Sequence, residues 1–121
     1  MSNWQKFVDD TIANGGNTAS MQGVKPRRYV FSENQDAERV YNVGDFDRHM
    51  VKYFVMDNGA ELRRNPDKFL GSWVETIDGE VKVFLDVSTS VDDKGEALRR
   101  AAAAGQLAIF DCATGDSIPV K

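Results

Sequence analysis

The 121-residue chain has few of the residue types that small proteins use for covalent or metal chemistry. It contains one cysteine, Cys112, and one histidine, His49. A single cysteine cannot close an intrachain disulfide, so folding does not depend on an oxidising compartment. One histidine and one cysteine are also too few for a structural zinc site of nitrogen and sulfur ligands. We therefore expect no bound metal and no cofactor.

Long apolar runs and an excess of positive charge are absent as well. No apolar segment approaches the roughly 20 residues of a membrane helix, and residues 1–10 lack the apolar core of a signal peptide. With 19 acidic and 15 basic residues, the net charge is −4. Non-specific binding to nucleic acid needs a basic face, which this balance argues against. We expect a cytoplasmic protein that does not bind membranes.

The C-terminal half of the sequence carries the clearest fold signal. Two strand-like runs flank the turn at Asp78-Gly79, and Val81, Val83, Leu85 and Val87 recur with the period of two that marks one buried face. A helix and a returning strand follow. At this length the pattern predicts one α+β domain: a mostly antiparallel sheet of about five strands, packed by two to three helices. The predicted strands are residues 29–32, 37–43, 70–75, 80–88 and 107–111, with a short edge piece at 117–120.

Three amphipathic stretches predict the helices. They span residues 2–13, 45–62 and 91–104, with Ser2, Asp45, and either Ser90 or Asp92 as N-caps. Gly105 is the expected C-cap of the third helix. The Gly-rich residues 14–25 predict a mobile loop, and residues 29–32 and 37–43 predict a hairpin.

Few side chains offer catalytic chemistry. Asp86 and Asp111 lie in or at the end of predicted strands, so pairing of those strands would bring two carboxylates together. His49 would then be the available base, although a lone histidine in a helix is more typical of a surface or packing residue. Cys112 follows an acid, which disfavours a thiolate, and we expect a buried structural thiol. We assign no catalytic residue.

The candidate binding residues are basic and aromatic. Lys25, Arg27 and Arg28 cluster beside Tyr29, a combination able to hold a phosphate or an acidic partner, although a solvated loop is the favoured interpretation. Trp73 is the candidate anchor of the core or of an interface. Self-association through Trp73 or an unpaired edge strand stays open.

Several segments resemble a family of small actinobacteriophage proteins. The resemblance rests on Asn14-Gly15-Gly16, on Leu70-Gly71-Ser72-Trp73-Val74, and on residues 79–88, 106–111 and 118–119. It covers residues 70–119 well and residues 21–43 poorly. Phe84 stands where that family usually has tyrosine, and Cys112 where leucine is usual. The resemblance implies a viral source and assigns no activity.

These observations favour a non-enzymatic phage accessory protein that contacts a protein partner, either a host factor or an assembly partner. We expect it in the host cytoplasm. One alternative is a structural component of the virion. Another is a small hydrolase or nuclease that uses Asp86, Asp111 and His49.

Overall fold

The computed structural model describes residues 3–21, 23–33 and 35–121. Within them the chain forms three helices and a seven-stranded antiparallel sheet, which confirms the α+β class with two more strands than the five predicted. The helices are α1 (Trp4–Asn14), α2 (Arg48–Arg64) and α3 (Lys94–Ala103). The strands are β1 (Gly16–Ala19), β2 (Tyr29–Ser32), β3 (Arg39–Asn42), β4 (Lys68–Ile77), β5 (Glu80–Val91), β6 (Ala108–Asp111) and β7 (Asp116–Pro119).

The long hairpin of β4 and β5 is the centre of the sheet. Its register runs from Lys68 opposite Thr89 to Ile77 opposite Glu80. Asp78 and Gly79 both have positive φ, 53° and 81°, as a two-residue type I′ turn requires. The hairpin predicted from the sequence is therefore confirmed, and the strand order around it is β1-β4-β5-β2-β6-β7.

The predicted hairpin of residues 29–32 and 37–43 is wrong. β2 and β3 both pair with β5, one after the other along the same edge. Ser32 is opposite Ser88, and pairing resumes with Arg39 opposite Leu85. The described residues between them, 33 and 35–38, lie outside the ladder and include a 3-10 turn, Gln35–Ala37. Two strands that follow one another along a shared neighbour cannot pair with each other.

The predicted loop at residues 14–25 is also wrong in part, because β1 lies within it. β1 pairs with β4 in a register that puts Gly16 opposite Trp73. A Cβ at Gly16 would lie 2.8 Å from the carbonyl oxygen of Ser72, so only glycine allows the two backbones to approach this closely. β1 lacks the β-branched and aromatic pattern of an isolated strand, and the long neighbour β4 supplies its pairing.

The helix N-caps differ from the predicted ones by one to three residues. The predicted cap Ser2 lies outside the described residues, and Asn3 accepts the bond from the Lys6 amide at 2.9 Å. Asp47, rather than Asp45, caps α2 through the amides of His49 and Met50. Asp93 caps α3, because Ser90 still belongs to β5 and Asp92 lies between the two elements. Gly105 follows the C-cap Ala104 of α3.

All three helices pack on one face of the sheet, the helix face, defined on β5 by Val83, Leu85 and Val87. α1 and α2 cover these side chains in one apolar cluster. α3 covers a second cluster that includes Phe31 and Ile109. Val83, Leu85 and Ile109 are buried, as their alternation predicts. The opposite face is defined on β5 by Phe84, Asp86 and Ser88, and we call it the groove face.

Replacing Gly16 with alanine tests the close approach of β1 to β4. The new Cβ meets backbone that cannot rotate away, so we expect Gly16→Ala to lower the free energy of unfolding by about 1–3 kcal/mol. Gly44→Ala is the matched control, since a Cβ there meets no atom within 4 Å. Urea unfolding of both variants measures the difference. Equal midpoints for the two variants would contradict the described β1–β4 pairing.

Candidate functional site

A groove of about 1110 Å³ lies on the groove face. Residues of β1, β4, β5, β2 and β6 line it together, from Thr18 to Phe110. These strands include β1 at one edge of the sheet and β6 next to the other edge. The sheet must therefore curve around this face, since distant strands otherwise line no common space.

Asp86 and Ser88 form the floor of the groove and are 2% and 5% exposed. The Ser88 hydroxyl donates a hydrogen bond to Asp86 Oδ1. Gly71 is opposite Asp86, and a Cβ on it would overlap both Asp86 Oδ1 and Ser88 Oγ. The missing side chain of Gly71 therefore makes the space that the two polar groups occupy.

Ser32 completes the floor from the neighbouring strand. It is opposite Ser88, is 5% exposed and lines the groove. Within the part of the chain that the structure describes, its Oγ is buried without a hydrogen-bond partner. A buried hydroxyl in this condition costs about 1–3 kcal/mol, and such groups are rare in folded proteins. Ser32 is therefore the polar atom of the floor that a bound group would satisfy.

The interrupted edge of β5 lies beside this floor. The described residues between β2 and β3, 33 and 35–38, lie outside the ladder, opposite Asp86 and Val87. Arg100 of α3 anchors this segment through two bonds to Glu33, of 2.6 and 2.9 Å, which lower the pKa of the Glu33 carboxyl. Glu38, at the other end of the segment, lines the groove.

The groove is acidic. Burial raises the pKa of Asp86 from 3.8 to about 6; the bond from Ser88 opposes that rise, and the charge of Glu38 adds to it. Burial also raises the pKa of Glu38, with a further contribution from Glu75. Among the described residues that line the groove, these three are acidic and none is basic.

Trp73 and Phe84 form an aromatic wall next to the floor. They are opposite each other on β4 and β5, and their rings stack at 4.8 Å with an interplanar angle of 4°. Phe84 is buried and Trp73 is half-buried on the groove. Phe84, the one apolar residue on the polar side of the β5 pattern, therefore supports the half-buried Trp73.

Only some of the predicted binding residues lie next to the groove. Lys25 and Arg27 are exposed, and Pro26 between them lines the groove. Arg28 instead makes two bonds of 3.0 Å to Asp111 and lies 5.1 Å from the ring centre of Tyr29. Tyr29 is buried in the cluster under α3. Only Trp73 and the rim residues around Pro26 therefore adjoin the groove.

The residues of the hydrolase hypothesis do not converge. Asp86 is on the groove face, whereas Asp111 is opposite Tyr29 on the helix face, with β2 between their strands. Arg28 lowers the pKa of Asp111 to about 2. His49 is exposed in the first turn of α2. Cys112 is exposed as well, so the predicted burial of its thiol is wrong.

Sequence reasoning missed Ser32, Glu38, Gly71 and Ser88. One signal was present: Asp86 and Ser88 alternate with the apolar Leu85 and Val87 on a strand long enough to cross the sheet. A polar row on one side of such a strand is ordinarily solvated. Its burial depends on the curvature of the sheet, which the local pattern does not encode.

Comparisons with known proteins assign no family. No protein-family model matches the chain, and neither a curated protein nor a solved structure matches it. Among the described residues, no helix has the length and apolar character to cross a membrane. The same residues contain no group of three or more His, Cys, Asp or Glu side chains placed to hold a metal ion.

The raised pKa of Asp86 predicts a pH dependence of stability. The native state holds the Asp86 proton more tightly than the unfolded chain does. The contribution of this proton to the free energy of unfolding is therefore complete below about pH 4. It is lost as the pH rises through about 6. A shift from 3.8 to about 6 corresponds to roughly 3 kcal/mol.

We expect Asp86→Asn to remove this loss. Relative to the wild type, the variant should gain about 2–3 kcal/mol between pH 4 and pH 7. Urea unfolding at pH 4, 5, 6 and 7 measures the difference in the free energy of unfolding between the variant and the wild type. The contributions of the carboxylates that both chains share cancel in this difference. A difference that is constant across this range would show that Asp86 titrates normally.

Proposed function

We propose that this chain is a non-enzymatic binding protein that engages a protein partner through the groove. The observation that carries the proposal is the buried Ser32 hydroxyl, which lacks a partner among the described residues and lies on the floor beside Asp86. A folded core ordinarily satisfies such a group. A binding site leaves it for the ligand, at the expense of the stability of the free protein.

The size and rim of the groove favour a protein segment over a small metabolite. Its volume of about 1110 Å³ is at or above the upper end for small-molecule pockets. Phe110 lines it at 41% exposure, and Leu107 lines it at 88% exposure. An apolar rim around a few buried polar groups is typical of protein interfaces.

The separation of Asp86, Asp111 and His49 supports a binding role over the hydrolase alternative. A general acid or base must come within hydrogen-bond reach of the reacting atoms, and these three side chains lie on different surfaces. The resemblance of residues 70–119 to small actinobacteriophage proteins suggests the context. We propose a host factor or a phage assembly partner, bound in the host cytoplasm, with a place in the virion as the alternative.

Phe110→Glu tests the groove as the partner site. The charge enters the apolar rim, so we expect partner affinity to fall at least about tenfold, which is roughly 1.4 kcal/mol. Tyr53→Glu is the matched control, because Tyr53 is 52% exposed on α2, on the opposite side of the sheet. Tagged chains are used to capture partners from host lysate, and the captured protein is then titrated in purified form.

The variants must first match the wild type in unfolding midpoint. If Phe110→Glu changes the midpoint, Leu107→Glu replaces it, because Leu107 also lines the groove and is 88% exposed. Retention of the partner by the groove variants together with its loss in Tyr53→Glu would place the interface on the helices and overturn the proposal.

Lys25 and Arg27 test the rim of the groove. Both are exposed next to the groove-lining Pro26, and rim charges act mainly on association rate. We expect Lys25→Ala with Arg27→Ala to slow partner association about two- to fivefold at low salt, and less at high salt. Arg63→Ala with Arg64→Ala, at the exposed end of α2, is the control. Unchanged association at low salt would remove these two residues from the interface.

A further inference from the structure

We propose that the group of the partner that reaches the groove floor is the guanidinium of an arginine side chain, held by the Asp86 carboxylate and the Ser32 hydroxyl. This inference rests on the proposed function and names the chemistry of its partner. Four features of the groove lead to it: its charge, its unused acceptors, its aromatic wall and the distance between wall and floor.

The charge of the groove selects a cation. Three carboxylates, Glu38, Glu75 and Asp86, line it, and no basic side chain appears among its described lining residues. The chain as a whole is far more balanced, with 15 basic against 19 acidic residues. A cleft of one sign with low-dielectric walls concentrates ligands of the opposite sign.

The acceptors of the floor match a donor-rich group. A carboxylate offers about four acceptor positions, and within the described residues Ser88 is the donor recorded for Asp86. The Ser32 oxygen adds lone pairs of its own, and the missing side chain of Gly71 gives Asp86 and Ser88 the space that they occupy on the floor. A guanidinium has five donors in a planar fork and no acceptor, so it can bond to both oxygens without leaving an acceptor of its own unpaired.

The aromatic wall fits the remainder of an arginine side chain. Trp73 follows Gly71 by two residues on β4, and Phe84 precedes Asp86 by two residues on β5, all on the groove face. Two residues of strand span roughly 7 Å, which is within the length of an arginine side chain. Its alkyl stem would lie along the stacked rings while its head reaches the floor.

The protonation of the floor supports the same chemistry. Asp86 faces Glu38 from the segment between β2 and β3, and the groove also holds Glu75 from β4. Of the bases near the groove, Lys82 is opposite Glu75 and bonds to Glu80 and Asn42, and Lys25 and Arg27 are exposed at the rim. A bound cation favours the ionised form of Asp86, whose pKa of about 6 lies close to neutrality. Affinity for a cation should therefore rise from pH 5 to pH 7.

The test uses two capped amino acids of the same shape. N-acetyl-arginine-N-methylamide carries the guanidinium, and N-acetyl-citrulline-N-methylamide replaces it with an uncharged urea. We expect saturable binding of the arginine probe to the full chain at pH 7.5, at least about fivefold tighter than the citrulline probe. Amide shifts of Ser32, Gly71 and Trp73 in two-dimensional NMR should report it. No saturable shift, or equal shifts with both probes, would overturn the assignment.

Two variants locate the guanidinium on the floor. Asp86→Asn should lower the affinity for the arginine probe at least about tenfold. Asp45→Asn, a substitution at an exposed aspartate before α2, should leave this affinity unchanged. Ser32→Ala should lower the affinity for the arginine probe about three- to tenfold. The unfolding midpoint should not fall, because the substitution removes a hydroxyl that has no partner among the described residues. An Asp86→Asn variant that binds the probe as tightly as the wild type would overturn the proposal.

The outcomes separate this inference from the proposed function. Loss of the partner in Phe110→Glu without binding of the arginine probe refutes the guanidinium and leaves the groove as the interface. Binding of the probe together with a partner that is retained by the groove variants and lost in Tyr53→Glu would show that the floor binds a guanidinium but that the partner does not supply it, which would overturn both proposals.

Discussion

The pairing of β4 with β5 determines where most other elements of the fold lie. Ten register pairs join the two strands, and every other strand except β6 and β7 attaches directly to one of them. Because side chains alternate between faces, a slip of one residue would move Val83, Leu85 and Val87 to the groove face and Asp86 and Ser88 under the helices. The type I′ turn at Asp78-Gly79 fixes the register that prevents this exchange.

The same register gives the two faces of the sheet different side chains. The helix face is apolar and is closed by α1, α2 and α3. The groove face carries buried polar side chains, Gly71 and the stacked pair of Trp73 and Phe84. Two of its groups lower the stability of the free chain. Ser32 has a buried hydroxyl without a partner among the described residues, and Asp86 is a buried carboxyl with a raised pKa. Local choices that disfavour the fold are most often found where a protein binds something.

The sequence predicted the elements better than their neighbours. The β4–β5 hairpin, the apolar face of β5 and the residues of β2 follow from local periodicity and turn chemistry, so they were predictable. The N-cap of α2 was not, since Asp45 and Asp47 offer the same chemistry and tertiary packing chooses between them. The false hairpin of β2 and β3 arose because adjacent strands usually pair, whereas here both join the longer β5. β1 was not predicted, because glycine is typical of loops and only the pairing with β4 makes Gly16 part of a strand.

The site was less predictable than the fold for a related reason. Trp73 and Asp86 attracted attention as residue types, but Ser32, Gly71 and Ser88 carry no individual signal. Their meaning comes from one register, in which Ser32 is opposite Ser88 and Gly71 opposite Asp86. The basic residues gave a visible motif, yet Arg28 proved to be the partner of Asp111. A motif of charged residues says little until the opposite charges on neighbouring strands are located.

Titration of the Asp86 carboxyl by carbon-detected NMR reports on the floor of the groove alone. We predict a pKa of about 6 in the free chain. Saturation with the capped arginine should lower that pKa by about one unit or more, because the guanidinium favours the ionised form. A pKa near 4 in the free chain, unchanged by the probe, would show that the floor is solvated and holds no cation, which would contradict the account.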